Sequence, residues 1–250
     1  MGEGTHVAKR ASRGAGGPGD KAMRKLVLFD IDGTLVLTGG AGLRAMSTAV
    51  EEVLGRADAL HGIPLAGRTD WAILAEAVRA LERQLDAPLF EQLRDRYLAS
   101  LAVEIDRPGR GVKAVMPGID ALLQALEARD DTFLGLLTGN FEEGARIKLA
   151  HFNLWRYFKC GAFGGDAADR NALVPVAVSR AYACGLPQIA PADVLVVGDT
   201  PHDIACAHAA GATPVGVATG GYSVDQLRES GAEIVFQDLS DSQAFVRLLK

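Results

Sequence analysis

Residues 26–35, LVLFDIDGTL, constrain the chain more than any other stretch. The apolar residues Leu26 to Phe29 run without alternation and end in Asp30; Asp32 follows two positions later, and Gly33-Thr34 after it. A short apolar run that does not alternate reads as a strand buried on both faces, as in a parallel sheet. Unpaired charge is too costly to bury in such a core, so the two acids must lie beyond the strand's end. Gly33 lets the backbone leave sharply. Open α/β sheets bind ligands just outside the carboxyl ends of their strands, which makes Asp30 and Asp32 the first candidates for chemistry.

The same pattern of apolar strand and polar ending recurs. FLGLLTGN (133–140) ends in Thr138-Gly139-Asn140, and VLVVGDT (194–200) ends in Gly198-Asp199-Thr200. Further strands are expected near 159–166, 213–218 and 233–237. Helices are expected over 119–129 and near 142–150, 171–184, 201–210, 223–230 and 240–249. Strand and helix in alternation predict an α/β fold with a parallel sheet and helices on both faces. Residues 38–111 break the rhythm: helical spacing at 41–54, 70–83 and 88–105 is separated by loops, with no strand. They read as a helical cap inserted after the first strand of a core made of 23–37 and 112–250.

A chain of 250 residues, 48% of them hydrophobic, can hold a large core with a smaller insert. Its net charge of −5 argues against nucleic acid as a partner, and no apolar stretch reaches membrane-spanning length. Cys160, Cys184 and Cys206 are far apart and have neither metal spacing nor a disulfide-rich pattern, so a reducing cytoplasm is the expected setting. The first 25 residues carry a net of +4, and the Gly- and Ala-rich segment 1–22 reads as a disordered basic tail. It lacks the apolar centre of a secretory signal. Met23, just before the first strand, could be the start of the protein.

In a parallel sheet the three polar strand ends share one edge. Asp30, Asp32, Asp199 and Asp203 then supply carboxylates to a single site. Like charges at such density repel, and a hard divalent cation resolves the conflict. Mg²⁺ takes one or two carboxylates and keeps waters and substrate phosphate oxygens as its other ligands. Asp199 and Asp203 could instead cap the following helix. Thr138-Gly139-Asn140 offers a hydroxyl and backbone N–H groups at a helix start, a position suited to phosphate oxygens.

DIDGTL, LLTGN and GDTPHD, in this order and spacing, resemble the haloacid dehalogenase superfamily, phosphatase branch, and the chain from about Met23 onward looks most like phosphoglycolate phosphatases and their relatives. The resemblance implies a Rossmann-like doubly wound core with a helical cap. It implies Asp30 as a nucleophile that forms an aspartyl-phosphate, and Asp32 as the acid that protonates the leaving oxygen and then activates water. It implies Mg²⁺ held by Asp30, Asp199 and the backbone carbonyl of Asp32, with Asp203 completing the metal shell or orienting its waters. Thr138, Gly139 and Asn140 would bind the phosphoryl group.

One departure stands out. The family places a lysine, often in a Lys-Pro pair, between the second and last motifs, and no Lys-Pro occurs here. Arg170 falls near that place, either in the lysine's role or as a surface residue before a helix. Lys148 reads as a solvated helix position. In the insert, Gly67-Arg68-Thr69-Asp70 resembles a GxTD segment of related caps. Arg68 and Thr69 could contribute to substrate specificity, with Arg68 reaching a substrate carboxylate or second phosphate; alternatively Thr69 or Asp70 caps the next helix and Arg68 is exposed. The expected partner is a small phosphorylated metabolite, phosphoglycolate-like or a sugar phosphate, bound to a monomer or homodimer, with no nucleic acid and no membrane. Rival readings are a sugar phosphomutase of the same superfamily and a non-catalytic phosphoprotein-binding relative. A dehalogenase would lack Asp32, and a phosphonate hydrolase needs a cap lysine where 38–112 has none.

Overall fold

The computed structural model describes residues 24–250 together with Met1; the expected basic tail and Met23 lie outside the described residues. The first strand, β1 (Lys25–Phe29), leads through the Asp30–Leu35 turn into a short strand β2 (Val36–Thr38). Three helices follow: α1 (Ala41–Leu54), α2 (Asp70–Ala80) and α3 (Ala87–Glu104). β3 (Lys113–Val115) returns antiparallel to β2. This two-stranded ribbon joins the helical insert to the sheet, and the sequence pattern predicts neither of its strands. Three-residue strands are too short to show a period of two in the sequence.

The chain continues as α4 (Ile119–Glu127), β4 (Thr132–Leu137), α5 (Glu142–His151), β5 (Cys160–Ala162) and α6 (Leu173–Ala183). It ends with β6 (Val194–Gly198), α7 (Pro201–Ala209), β7 (Thr213–Val217), α8 (Val224–Glu229), β8 (Ile234–Phe236) and α9 (Ser242–Arg247). The sheet is six-stranded and parallel in the order β5-β4-β1-β6-β7-β8. β1 lies between β4 and β6, which explains its unbroken apolar run: Leu26, Val27, Leu28 and Phe29 are all fully buried. Val27 and Phe29 face one apolar layer with α4 and α9, and Leu26 and Leu28 face the other with α6 and α7.

The insert has an apolar cluster of its own, built from Ala45, Ala49, Leu74, Val78, Leu93 and Tyr97 among others. Phe141 joins it from the start of α5, edge-on to Phe90 and Tyr97 at ring distances of 5.8 and 6.2 Å. An aromatic ring from the sheet's carboxyl edge is thus buried in the insert and fixes where the insert sits. Among the described residues no helix is long and apolar enough to cross a membrane.

Candidate active site

The strand order places the ends of β4, β1 and β6 side by side. Asp30, Thr138 and Asp199 therefore meet at one edge although they are distant in sequence. The Asp30 N–H donates to Val197 O at 2.9 Å, which pins the first residue beyond β1 to the neighbouring strand. Gly33, at φ +86°, turns the chain over Asp199; a Cβ there would lie 2.5 Å from Asp199 Oδ2. The Thr34 hydroxyl donates to Asp199 Oδ1 at 3.0 Å.

Asp30, Asp199 and Asp203 are all buried, and each offers an oxygen within 4.8 Å of the others. Burial pushes the Asp199 carboxyl up to about 8, aided by the charges of Asp203 and Asp30. Burial likewise raises Asp30 to about 6, where the Arg170 guanidinium opposes it and Asp203 adds to it. The charges here are undercompensated, as the donor set of a hard divalent cation would be. Asp203 differs from its partners. Its Oδ2 accepts from the Thr200 N–H at 3.0 Å and the Thr200 hydroxyl at 2.7 Å, closing the capping box of α7, and its Oδ1 accepts from Arg170. The helix-cap reading of Asp203 therefore holds alongside its place in the cluster.

Asp32 does not join the carboxylate cluster. Its Oδ2 accepts from Lys148 Nζ at 2.6 Å and Asn140 Nδ2 at 2.8 Å, and its side chain remains 45% exposed to the cavity. Lys148 is thus not the solvated helix residue expected: it is buried, and it also donates to Asn140 Oδ1 at 2.6 Å. On α5 it follows Ala145 by three positions and precedes Leu149, both buried. A lysine on the apolar stripe of a helix was the available signal. The Asn140 amide donates in turn to the Thr138 hydroxyl at 2.8 Å.

Arg170 is buried, not a surface residue. Nη2 lies 3.2 Å from Asp30 Oδ1 and pairs with Asp203, while Nη1 donates to Gly67 O of the insert at 3.1 Å. Its Nε is the one buried side-chain nitrogen or oxygen without a hydrogen-bond partner among the described residues.

The insert's Gly67–Asp70 loop lies directly over Gly139, where a Cβ would stand 2.0 Å from Arg68 O. The Asp70 N–H donates to Gly139 O at 2.7 Å, and the Asp70 carboxylate accepts from the Phe141 N–H at 2.9 Å. Burial raises Asp70 to about 6 despite Lys148 nearby. Thr69 does not line the cavity: its hydroxyl accepts from the Ala72 N–H at 3.1 Å as the cap of α2 and donates to Ala168 O. The specificity role expected for Thr69 gives way to capping, because its side chain is consumed by the helix start. Arg68 does line the cavity, paired with Glu76 at 2.6 Å.

The cavity measures about 480 Å³ and runs from Asp30, Asp199 and Arg170 at its floor to the insert. Residues 24–211 match the family described as haloacid dehalogenase-like hydrolase. The chain belongs to the haloacid dehalogenase-like hydrolases. A phosphoglycolate phosphatase of Rhodospirillum rubrum is 35% identical over 87% of this chain and 89% of its own length. A probable phosphatase, IndB, of Dickeya dadantii is 30% identical over 88% and 92%. Among solved structures, a predicted phosphoglycolate phosphatase of Haemophilus somnus superposes with a TM-score of 0.65 at 21% identity, covering 91% of this chain and all of that one. The likeness within the family is to its phosphoglycolate phosphatase-like branch.

Proposed function

We propose that the chain is a Mg²⁺-dependent phosphatase that hydrolyses a small phosphorylated metabolite through an aspartyl-phosphate on Asp30, with the helical insert acting as a cap. The observation that carries this reading is the convergence of Asp30, Asp199, Thr138 and Arg170 at one end of a cavity into which Asp32 also opens. Asp30, Asp199 and the backbone carbonyl of Asp32 would hold the cation, with Asp203 placed to steady Arg170 and the metal's surroundings. The cation, when bound, neutralises charge on the phosphoryl oxygens and on the carboxylates around them.

An Asp30 carboxylate oxygen attacks phosphorus, and the bond from phosphorus to the substrate's ester oxygen breaks. Asp32 gives its proton to the departing oxygen, then takes one from the water that cleaves the aspartyl-phosphate and releases phosphate. Lys148 and Asn140 both hold Asp32 Oδ2, which leaves Oδ1 for the proton. The Thr138 hydroxyl, backbone N–H groups at Gly139 and Asn140, and Arg170 are the proposed phosphoryl contacts. The docked insert excludes water during the first transfer.

Phosphate release from a panel of esters, p-nitrophenyl phosphate included, with purified protein and Mg²⁺ tests the reading; silence on every ester overturns it. Lys148→Met should lower kcat/KM, which reads the first transfer, by about 10- to 100-fold for alkyl phosphates, and much less for p-nitrophenyl phosphate, whose leaving group needs no proton. A kcat/KM for alkyl phosphates that Lys148→Met leaves unchanged would remove Lys148 from any part in holding Asp32.

The raised carboxyls also predict a pH-dependent response to metal. Asp199 and Asp30 hold protons at a pH where the unfolded chain has released them. In the metal-free protein these two groups therefore contribute most stability at the acid end of the window, and their contribution is lost as pH rises from about 4 through about 8. Mg²⁺ takes the place of those protons, so it should raise Tm more at pH ~8 than at pH ~5.5. Melts in EDTA and in Mg²⁺ at both pH values check this, and a Tm at pH ~8 indifferent to Mg²⁺ counts against the cluster as a cation site.

A further inference from the structure

The cavity is walled differently by the ribbon and the insert than by the sheet's carboxyl edge. The ribbon and the insert line it with Leu37, Leu43, Met46, Leu65 and Ile73. Leu43 is 50% exposed, one of few large apolar side chains so exposed among the described residues. Among the described residues the cavity has three cationic lining residues, and each is already paired with a carboxylate: Arg170 with Asp30 and Asp203, Lys148 with Asp32, and Arg68 with Glu76. Arg68 is the one that comes from the insert, and its Nη1 also donates to Pro64 O at 3.2 Å. Glu76 has a second, weaker partner in Arg79 at 3.9 Å, which is 79% exposed and so largely screened. Two of the polar lining groups are turned inward, with Asp70 accepting from the Phe141 N–H and the Thr219 hydroxyl donating to Gly33 O, while the Thr38 and Tyr97 hydroxyls also line the cavity.

We infer that the alcohol half of the substrate is small, apolar and free of a second anion, and that Glu76 sets this preference by neutralising Arg68. The inference rests on the phosphatase reading and narrows its substrate class. A carboxylate or second phosphate on the substrate would lose its hydration against leucine and isoleucine without gaining an uncommitted cation. An alkyl or aryl group gains from the same wall by removing apolar surface from water.

The experiment compares kcat/KM for n-propyl phosphate, phosphoglycolate and p-nitrophenyl phosphate in the native protein and in Glu76→Gln. The native protein should favour n-propyl phosphate over phosphoglycolate, a substrate of similar size, by at least about tenfold. Glu76→Gln removes the charge opposing Arg68 and should shrink that ratio by about tenfold. Because Glu76 is partly exposed, Tm of the variant should stay close to that of the native protein, and Glu76→Ser should shift the ratio in the same direction. A native preference for phosphoglycolate, or a ratio that neither variant moves, overturns the inference and leaves the phosphatase reading in place. No phosphate release from any of the three esters overturns that reading and the inference with it.

Discussion

Replacing Asp30 by asparagine should lower phosphate release by at least ~10³-fold, since a covalent route ends when its nucleophile is removed. The same variant should be as stable as the native protein in EDTA, or more stable. Asp30 is buried and its carboxyl is raised to about 6 by burial against the lowering pull of Arg170, so its charge is disfavoured where it sits. An amide of the same shape removes one of three crowded carboxylates. It can still accept from Arg170 Nη2, which lies 3.2 Å away. The backbone bond from the Asp30 N–H to Val197 O is unaffected by the change. Activity and Tm therefore move apart, and measuring both separates a chemical role from a structural one. A large fall in Tm alongside the lost activity would mean that Asp30 holds the strand end together, and a variant that retained turnover would end the aspartyl-phosphate proposal.

The parts of this fold that were legible in the sequence are those set by local pattern. The apolar runs of β1, β4 and β6 end where Asp30, Thr138 and Asp199 begin, and a parallel sheet must put those ends on one edge. The helix over 41–54 shows through its own spacing and ends at Gly55 in the left-handed conformation. What stayed hidden depends on partners far along the chain. Lys148 reads as a surface residue because lysine almost always is one; its burial makes sense only with Asp32, 116 residues earlier, and Asn140 beside it. Thr69 and Arg68 are adjacent in a loop, yet one caps α2 and the other lines the cavity, a division fixed by how the loop crosses Gly139. Arg170 could be placed near the site by counting along the chain. Its simultaneous grip on Asp203 and on Gly67 O requires α7 and the insert to be in position first.

That double grip makes Arg170→Met the most destabilising single change expected at the site. The guanidinium lies between Asp30 and Asp203, and both of those side chains are almost fully buried. Removing one partner from a buried ion pair costs about 3–5 kcal/mol, because the remaining charge is left unsolvated. For a domain of this size that corresponds to a fall in Tm of about 10 °C, measured in EDTA. Mg²⁺ should restore part of the loss, since it brings positive charge back to Asp30 and Asp199. Arg170→Lys separates the two tasks of the side chain. It keeps a charge beside Asp30 and Asp203 and should recover most of the stability. One ammonium cannot also reach Gly67 O in the planar, forked manner of a guanidinium, so the Lys variant should loosen the insert loop, seen as faster amide exchange over residues 65–70. If Arg170→Met melts within about 2 °C of the native protein in EDTA, the carboxylates are taking up protons in place of the guanidinium, and charge pairing with Arg170 is not what holds this edge of the sheet together.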